Sequence, residues 1–309
     1  MVSGHRKHPT APPAAEQPAA LAGRLTDGDW QVCLLLAEHQ VLTTGLLALL
    51  LGVPPRTLQQ RLTLLTSLRM VERFRPHQPV GAGSAPYHYL LGEVGAAVLS
   101  TDGSTGVEGL GWDRARLLGL AHANGRLTHL LGVNTLLAQL THTARHQPGT
   151  RLVCWWPAHR CHARWGRLIT PDAYARWQDP HGEVDFFLHH TTANTTADQP
   201  AELLEGYNDL AAATGVTTPV LLYASDPDQE AQLRVQLAGR RALVPVATSN
   251  PASGPPTQAV WLPTSSPDSG RRYRLGALGH PDPWHPPRPA AAATRGAVAT
   301  AHTGLRPPG

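Results

Sequence analysis

Pro54-Pro55-Arg56-Thr57-Leu58-Gln59-Gln60-Arg61-Leu62-Thr63-Leu64-Leu65-Thr66-Ser67-Leu68 is the stretch on which the reading of this chain turns. Leu58, Leu62, Leu65 and Leu68 recur at steps of four, three and three, which places them on one face of a helix. Arg56, Gln59, Gln60 and Thr63 fall on the opposite face, with Thr57 in the first turn. Pro55 suits that first turn, because its missing N–H would have no intrahelical partner there. No acidic residue interrupts the polar face, and Arg, Gln and Thr are residue types whose donors and acceptors match base edges.

The flanking sequence sets this helix in a series. Upstream, Thr26 reads as an N-cap with Asp27 and Asp29 favourably placed near the helix N-terminus, and Trp30, Leu34 and Ala37 follow at helical spacing. A short second helix follows Thr43 and Thr44, carries Leu46, Leu47 and Leu50, and stops at Gly52. Downstream, 70–75 reads as a strand, 76–86 as a Pro/Gly/Ser loop, 87–91 as a second strand and 93–99 as a small closing helix. Three helices followed by a hairpin is the winged helix-turn-helix order, in which the third helix enters the major groove and the hairpin is the wing. The expected DNA contacts are then Arg56, Thr57, Gln59, Gln60 and Thr63 on the helix, supported by Arg73, Arg75 and His88 at the wing. Two plainer readings compete: a leucine-faced helix with a polar back is most often just a surface helix, and winged helices also serve as protein-docking modules.

Composition narrows the chemistry. Of the 26 basic residues in 309, only Lys7 is a lysine; the rest are arginines, a bias that a GC-rich codon composition would produce. No Walker A lysine and no Schiff-base lysine can therefore be built from residues 25–309. The net charge of +4 is concentrated at the ends: residues 1–24 carry +2, 25–100 sum to zero, 101–264 sum to −2 and 265–309 carry +4. A basic balance points to nucleic acid only when it is clustered on a folded face. Cys33, Cys154 and Cys161 form no CxxC pair, which fits a reducing compartment. The longest apolar run, 46–51, is far too short to span a bilayer, and the N-terminus does not read as a secretory signal, so a cytoplasmic protein with no membrane partner is expected.

Beyond the helical unit, 1–23 reads as a Pro/Ala-rich disordered tail and 101–111 as a Gly/Ser/Thr-rich linker. Helices are expected over 113–123 and 126–146. From 152 the pattern turns α/β, with strands over 152–156, 183–189, 219–224, 242–247 and 260–262 and helices over 201–213 and 228–239. After about 265 the chain is Pro/Ala/Gly/Arg-rich and reads as a disordered basic tail. The domains are thus 24–100 and 112–264, and the class is α/β, or α+β overall. No GxGxxG, GxSxG or HExxH motif is present. Trp155, Trp156, Trp165 and Trp177 could stack bases, but tryptophans at strand spacing are more often core.

These residues together resemble the replication-relaxation family of bacterial plasmids and mobile elements. The resemblance is carried by LTDGD (25–29), the leucine-spaced helix, MVER (70–73), HLLGVN (129–134), the tryptophan pair 155–156, TPD (170–172), LEGY (204–207), VWLP (260–263) and the arginines 271–272. These motifs fall in order over about 24–275. The resemblance implies a C-terminal domain related to PD-(D/E)xK nucleases, whose site needs acidic residues for a divalent metal and usually a lysine to position the attacking water. Pro171-Asp172 is kept. His159 stands where the family tends to have a glutamate, His189-His190-Thr191 stand where a Glu-x-Asp tends to end the later strand, and Leu203 falls near the lysine position. One acidic ligand does not hold Mg²⁺ tightly. A softer metal held by His159, Asp172 and His189, with Cys161 or His162, is the alternative; a degenerate nuclease-like scaffold without a cofactor is the preferred expectation.

The function expected from all this is an accessory protein that binds double-stranded DNA in plasmid or mobile-element replication, maintenance or transfer. Replication or conjugation proteins and a second copy of the chain are its candidate partners. A metal-dependent nuclease or nickase, or a winged-helix transcription regulator, are the other readings.

Overall fold

The computed structural model describes residues 25–76, 84–101, 112–120, 125–192, 199–265 and 270–284. The expected N-terminal tail, most of the 76–86 loop, almost all of the 101–111 linker and the chain after 284 lie outside the described residues. The fold is mixed α/β, with one three-stranded and one six-stranded sheet among the described residues.

The first helix, α1 (Asp27–His39), starts from a reciprocal cap. The Thr26 hydroxyl accepts from Asp29 N, and the Asp29 carboxylate accepts from Thr26 N at 2.8 Å. Strand β1 (Leu42–Thr43) leads into α2 (Thr44–Leu51), whose N-cap is Thr43 and whose end is Gly52 in the left-handed region at φ 70°. Helix α3 (Pro55–Ser67) buries Leu58, Leu62 and Leu65. Asp29 is fully buried and ion-paired with Arg61 of α3, so polar contacts as well as leucines hold α3 against α1. Strands β2 (Val71–Phe74) and β3 (His88–Leu91) pair antiparallel, and β1 joins on the other side in the order β1-β3-β2. Two-residue β1 is too short to show any alternation, which is why the sequence pattern missed it. Helix α4 (Glu93–Thr101) completes this unit.

After the short α5 (Arg114–Gly119), the 21-residue α6 (Arg126–His146) packs on both halves of the molecule. Leu137 and Ala138 enter the core of the first unit, while Val133, Leu136 and Leu140 enter that of the second. Asn134 Nδ2 donates to the carbonyls of His39 and Val41 at 3.0 Å, and Arg145 donates at 2.8 Å to those of Leu49 and Leu50. The His39, Leu49 and Leu50 carbonyls lie in the last turns of α1 and α2, where they lack intrahelical partners, and the Val41 carbonyl lies in the link between α1 and β1.

The second unit is a six-stranded sheet in the order β4-β5-β6-β7-β8-β9. Strands β4 (Arg151–Pro157), β5 (Ala173–Asp179) and β6 (Gly182–Thr191) form an antiparallel meander, with α7 (Ala158–Trp165) between β4 and β5. Strands β6, β7 (Val220–Ala224) and β8 (Val246–Ser249) are parallel, linked by α8 (Gln199–Thr214) and α9 (Pro227–Leu237). Strand β9 (Leu262–Pro263) closes the edge antiparallel. Every β7 residue is buried, as expected of a central parallel strand covered on both faces. Strand β5 was not read from sequence: its buried side is Ala173, Ala175 and Trp177, and alanine carries little strand signal.

The chain does not leave the fold at 264 as the composition suggested. Tyr273 exchanges backbone hydrogen bonds with Trp261 at 2.7 and 3.1 Å, and Leu275 and Leu278 are buried in the sheet core. Arg272 donates to the buried Glu230 at 2.9 and 3.0 Å. A Cβ at Gly279 would lie 1.8 Å from the Glu183 carbonyl, so only glycine admits this close passage beside β6. These anchors are spaced singly among Arg, Gly and Pro, which hides them from a composition reading.

Candidate functional site

On α3 the residues expected to face DNA are all exposed: Arg56, Thr57, Gln59, Gln60 and Thr63. Their orientation follows from the other face, since the buried leucines and the Arg61–Asp29 pair leave one rotational setting for the helix. The Thr63 hydroxyl donates to the Gln59 carbonyl at 2.9 Å, one turn back. Arg73 and Arg75 are exposed, with guanidinium carbons 4.3 and 3.8 Å from the Tyr87 ring centroid. The aromatic face orders both side chains without neutralising them.

The zero net charge of 25–100 conceals an asymmetry that only the fold reveals. Asp29 is paired with Arg61, Glu93 with Arg69, Glu72 with Arg114 and Glu38 with Arg160. Two of those arginines come from outside the segment. Arg56, Arg73 and Arg75 form no ion pair among the described residues, so positive charge is in excess on the α3 and hairpin surface.

His88 corrects the sequence reading. It is 4% exposed, donates from Nδ1 to the Pro86 carbonyl at 2.9 Å and stacks on Phe74. Burial lowers its pKa, against the opposing bond to Pro86. As part of the central strand of a three-stranded sheet it is covered on both sides and cannot reach a phosphate. The tryptophans stand mainly as packing groups: Trp177 is fully buried, and Trp156 and Trp165 are half-buried against Tyr174.

Of His159, Asp172 and His189, the fold brings two together. Asp172 directly precedes β5, and its own N–H donates to the Leu188 carbonyl at 3.0 Å, which sets it beside His189 on β6. His159 instead lies on α7 against α1, 4.0 Å from Glu38, and does not join them. Cys161 is buried, with burial pushing its thiol up to about 12, and His162 is exposed. Among the described residues no three His, Cys, Asp or Glu side chains converge as a metal site.

The partners that Asp172 does acquire were not read as such. His129 Nε2 donates to Asp172 Oδ1 at 2.8 Å, and the His190 backbone N–H donates to Oδ2 at 2.8 Å. His189 Nε2 lies 2.8 Å from the Tyr207 hydroxyl. Although burial works to raise the Asp172 pKa, the bond from His129 and the nearby histidines hold it below the usual carboxylate range. Its bond to Asp172 raises the His129 pKa. Burial pushes His189 and His190 down to about 4. The contact between His129 and Asp172 thus favours the charged form of each, beside two imidazoles that burial holds neutral. The cluster lines a cavity of about 710 Å³ at the C-terminal end of β6. His129 and Asp172 lie 43 positions apart, a separation that no helix or strand periodicity links.

The sequence pattern of the replication-relaxation family matches residues 34–221, more than half of the chain, from within α1 to within β7. No curated protein and no solved structure matches the chain. The chain belongs to the replication-relaxation family.

Proposed function

We propose that this protein binds double-stranded DNA as an accessory factor in the replication, maintenance or transfer of a plasmid or mobile element, and that its α/β domain is a nuclease-like scaffold that does not cut. Membership of the family ties the chain to replication or mobile-element biology. The observation that carries the reading is the α3 surface: Arg56, Thr57, Gln59, Gln60 and Thr63 exposed on a helix locked from behind, beside Arg73 and Arg75 without acidic partners. The element order α1-β1-α2-α3-β2-β3 supports a winged helix-turn-helix, with α3 in the major groove and the hairpin arginines on the backbone. Arginine binds phosphate and guanine without help from lysine.

The second unit is read as non-cleaving because Asp172 is already engaged by two donors and because residues 25–309 contain no lysine. Replication or conjugation proteins and a second copy of the chain remain the proposed partners. The closeness of Asp172 and His189 favours one other reading, a metal-dependent nuclease. Relaxation of supercoiled plasmid with Mg²⁺, Mn²⁺ or Zn²⁺, abolished by Asp172→Ala, would establish it.

The binding test uses a duplex selected from a randomised pool. Each bidentate base contact is worth about 1–3 kcal/mol, so Arg56→Ala with Gln60→Ala should weaken specific binding by about a hundredfold while leaving the thermal transition in place. A gel shift unchanged in that variant overturns the reading.

A further inference from the structure

We propose that the exposed basic face of α7 holds the phosphate backbone of duplex DNA beside the α3 site, a sequence-independent contact made by the second unit. The inference rests on the reading of α3 as the DNA-binding helix and adds a further part to the same interface. Residues 151–171 carry four arginines and two histidines with no acidic residue, whereas the rest of 101–264 carries a net −6. A basic island on an otherwise acidic unit is the charge distribution that a nucleic-acid contact requires, provided that the fold gathers it on one face.

The fold does gather it. Cys161 is buried and Trp165, one turn on, packs against Trp156 and Tyr174, which sets the inward side of α7. Arg160 and Arg164, also one turn apart, are exposed, and Arg167 is exposed in the turn that follows the helix. Arg160 donates to Glu38 of α1 at 2.6 and 2.8 Å, which fixes α7 against the first unit. Arg164 and Arg167 form no ion pair among the described residues, so their charge is available to a partner.

Packing also places this face near the start of α3. Arg160 and Glu38 line one groove together with Arg145 of α6 and with Leu50 and Leu51 at the end of α2. Arg145 is exposed and holds the end of α2 through the Leu49 and Leu50 carbonyls. Gly52, Val53 and Pro54 then lead from α2 into α3 and Arg56. Arginines therefore follow one another from the start of α3 through Arg145 to α7, and Glu38, already paired with Arg160, is the one carboxylate lining the groove between them. Duplex DNA carries about one negative charge per 1.7 Å of its axis. A backbone leaving the α3 site meets this row with the complementary charge, and a guanidinium can take a phosphate through two parallel bonds.

The test is fluorescence anisotropy of the full chain with a duplex selected from a randomised pool, and with the same duplex extended at each end by ~20 bp, two helical turns. The parent should bind the extended duplex more tightly. Arg164→Gln with Arg167→Gln, both at the surface, should abolish that advantage and lower the slope of log affinity against log salt by about two, one for each lost phosphate contact. The thermal transition and the base preference should be retained. Arg240→Gln with Arg241→Gln removes the same charge where the chain leads into β8, at the opposite end of the sheet from α7, and should leave both quantities as in the parent. An α7 variant with the parental slope and the parental affinity for the extended duplex overturns the proposal, as does a control variant that loses as much. If Arg56→Ala with Gln60→Ala leaves duplex binding unchanged while the α7 variant still lowers the slope, the reading of α3 fails and this contact stands. A parent that binds no duplex overturns both.

Discussion

Lowering the pH from about 7 to about 5.5 should cost this fold roughly 2–3 kcal/mol, because two buried histidines are held neutral in it. His39 is 7% exposed; burial, with His159 and Arg160 nearby, lowers its pKa from 6.5 to about 3. His190 is pushed to about 4 by burial and the neighbouring His129 charge. A depressed histidine pKa means that the unfolded chain takes up the proton first. The stabilisation is therefore intact above about pH 6.5 and lost as the pH falls from there toward the folded values. Each group contributes a slope of about 1.4 kcal/mol per pH unit once the unfolded chain is protonated, so the pair contributes about 3 kcal/mol per unit. His189, also lowered to about 4 but partly accessible, adds a smaller share. Asp29, Asp172 and Glu230 all have lowered pKa values, so their contributions disappear only below the ordinary carboxylate range and do not enter this window. His129 is shifted the other way; its contribution is complete below pH 6.5 and is lost only as the pH rises through its raised pKa. Urea denaturation followed by tryptophan fluorescence at the two pH values measures the difference. His39→Gln should remove about half of it. A loss below about 1 kcal/mol, or a loss unchanged in His39→Gln, would refute the reasoning.

Two further outcomes follow from the surface and from the C-terminal segment. Replacing Arg73 and Arg75 by alanine should weaken duplex binding to all sequences alike and flatten the plot of log affinity against log salt by about one unit per lost phosphate contact; an unchanged slope in titrations at several salt concentrations would remove them from the interface. Ending the chain after Thr264 should destabilise it by about 5 kcal/mol or more, since two buried leucines are each worth about 1.5–3 kcal/mol and the buried Glu230 would lose Arg272. A urea midpoint equal to that of the full chain would contradict the packing of 270–284.

Many local features were legible to within a residue or two, although the strand expected over 242–247 forms at Val246–Ser249. Thr26 and Thr43 cap α1 and α2, Gly52 ends α2, and the leucine spacing of α3 separates its buried and exposed faces as read. What escaped was too short for periodicity, as with β1, carried by weak strand formers, as with β5, or a short polar helix with Cys161 as its one buried residue, as with α7. The terminal anchors Tyr273, Leu275 and Leu278 escaped because their partners lie on the sheet rather than beside them in the chain.

The site residues divide along the same line. Side-chain chemistry, helix faces and the absence of lysine from residues 25–309 are properties of the sequence; they exclude a lysine-dependent site in those residues and are the basis of the proposed arginine-based contact with DNA. Which polar groups end up buried or paired was decided by tertiary structure. Asp29 meets Arg61, Glu72 meets Arg114 and Asp172 meets His129 across separations of 32 to 43 residues. The central position of β3 removes His88 from the surface, and the docking of α7 on α1 carries His159 away from Asp172. Ionisation and hydrogen bonding depend on burial and on neighbours a few ångströms away, and only the folded chain brings those neighbours into place.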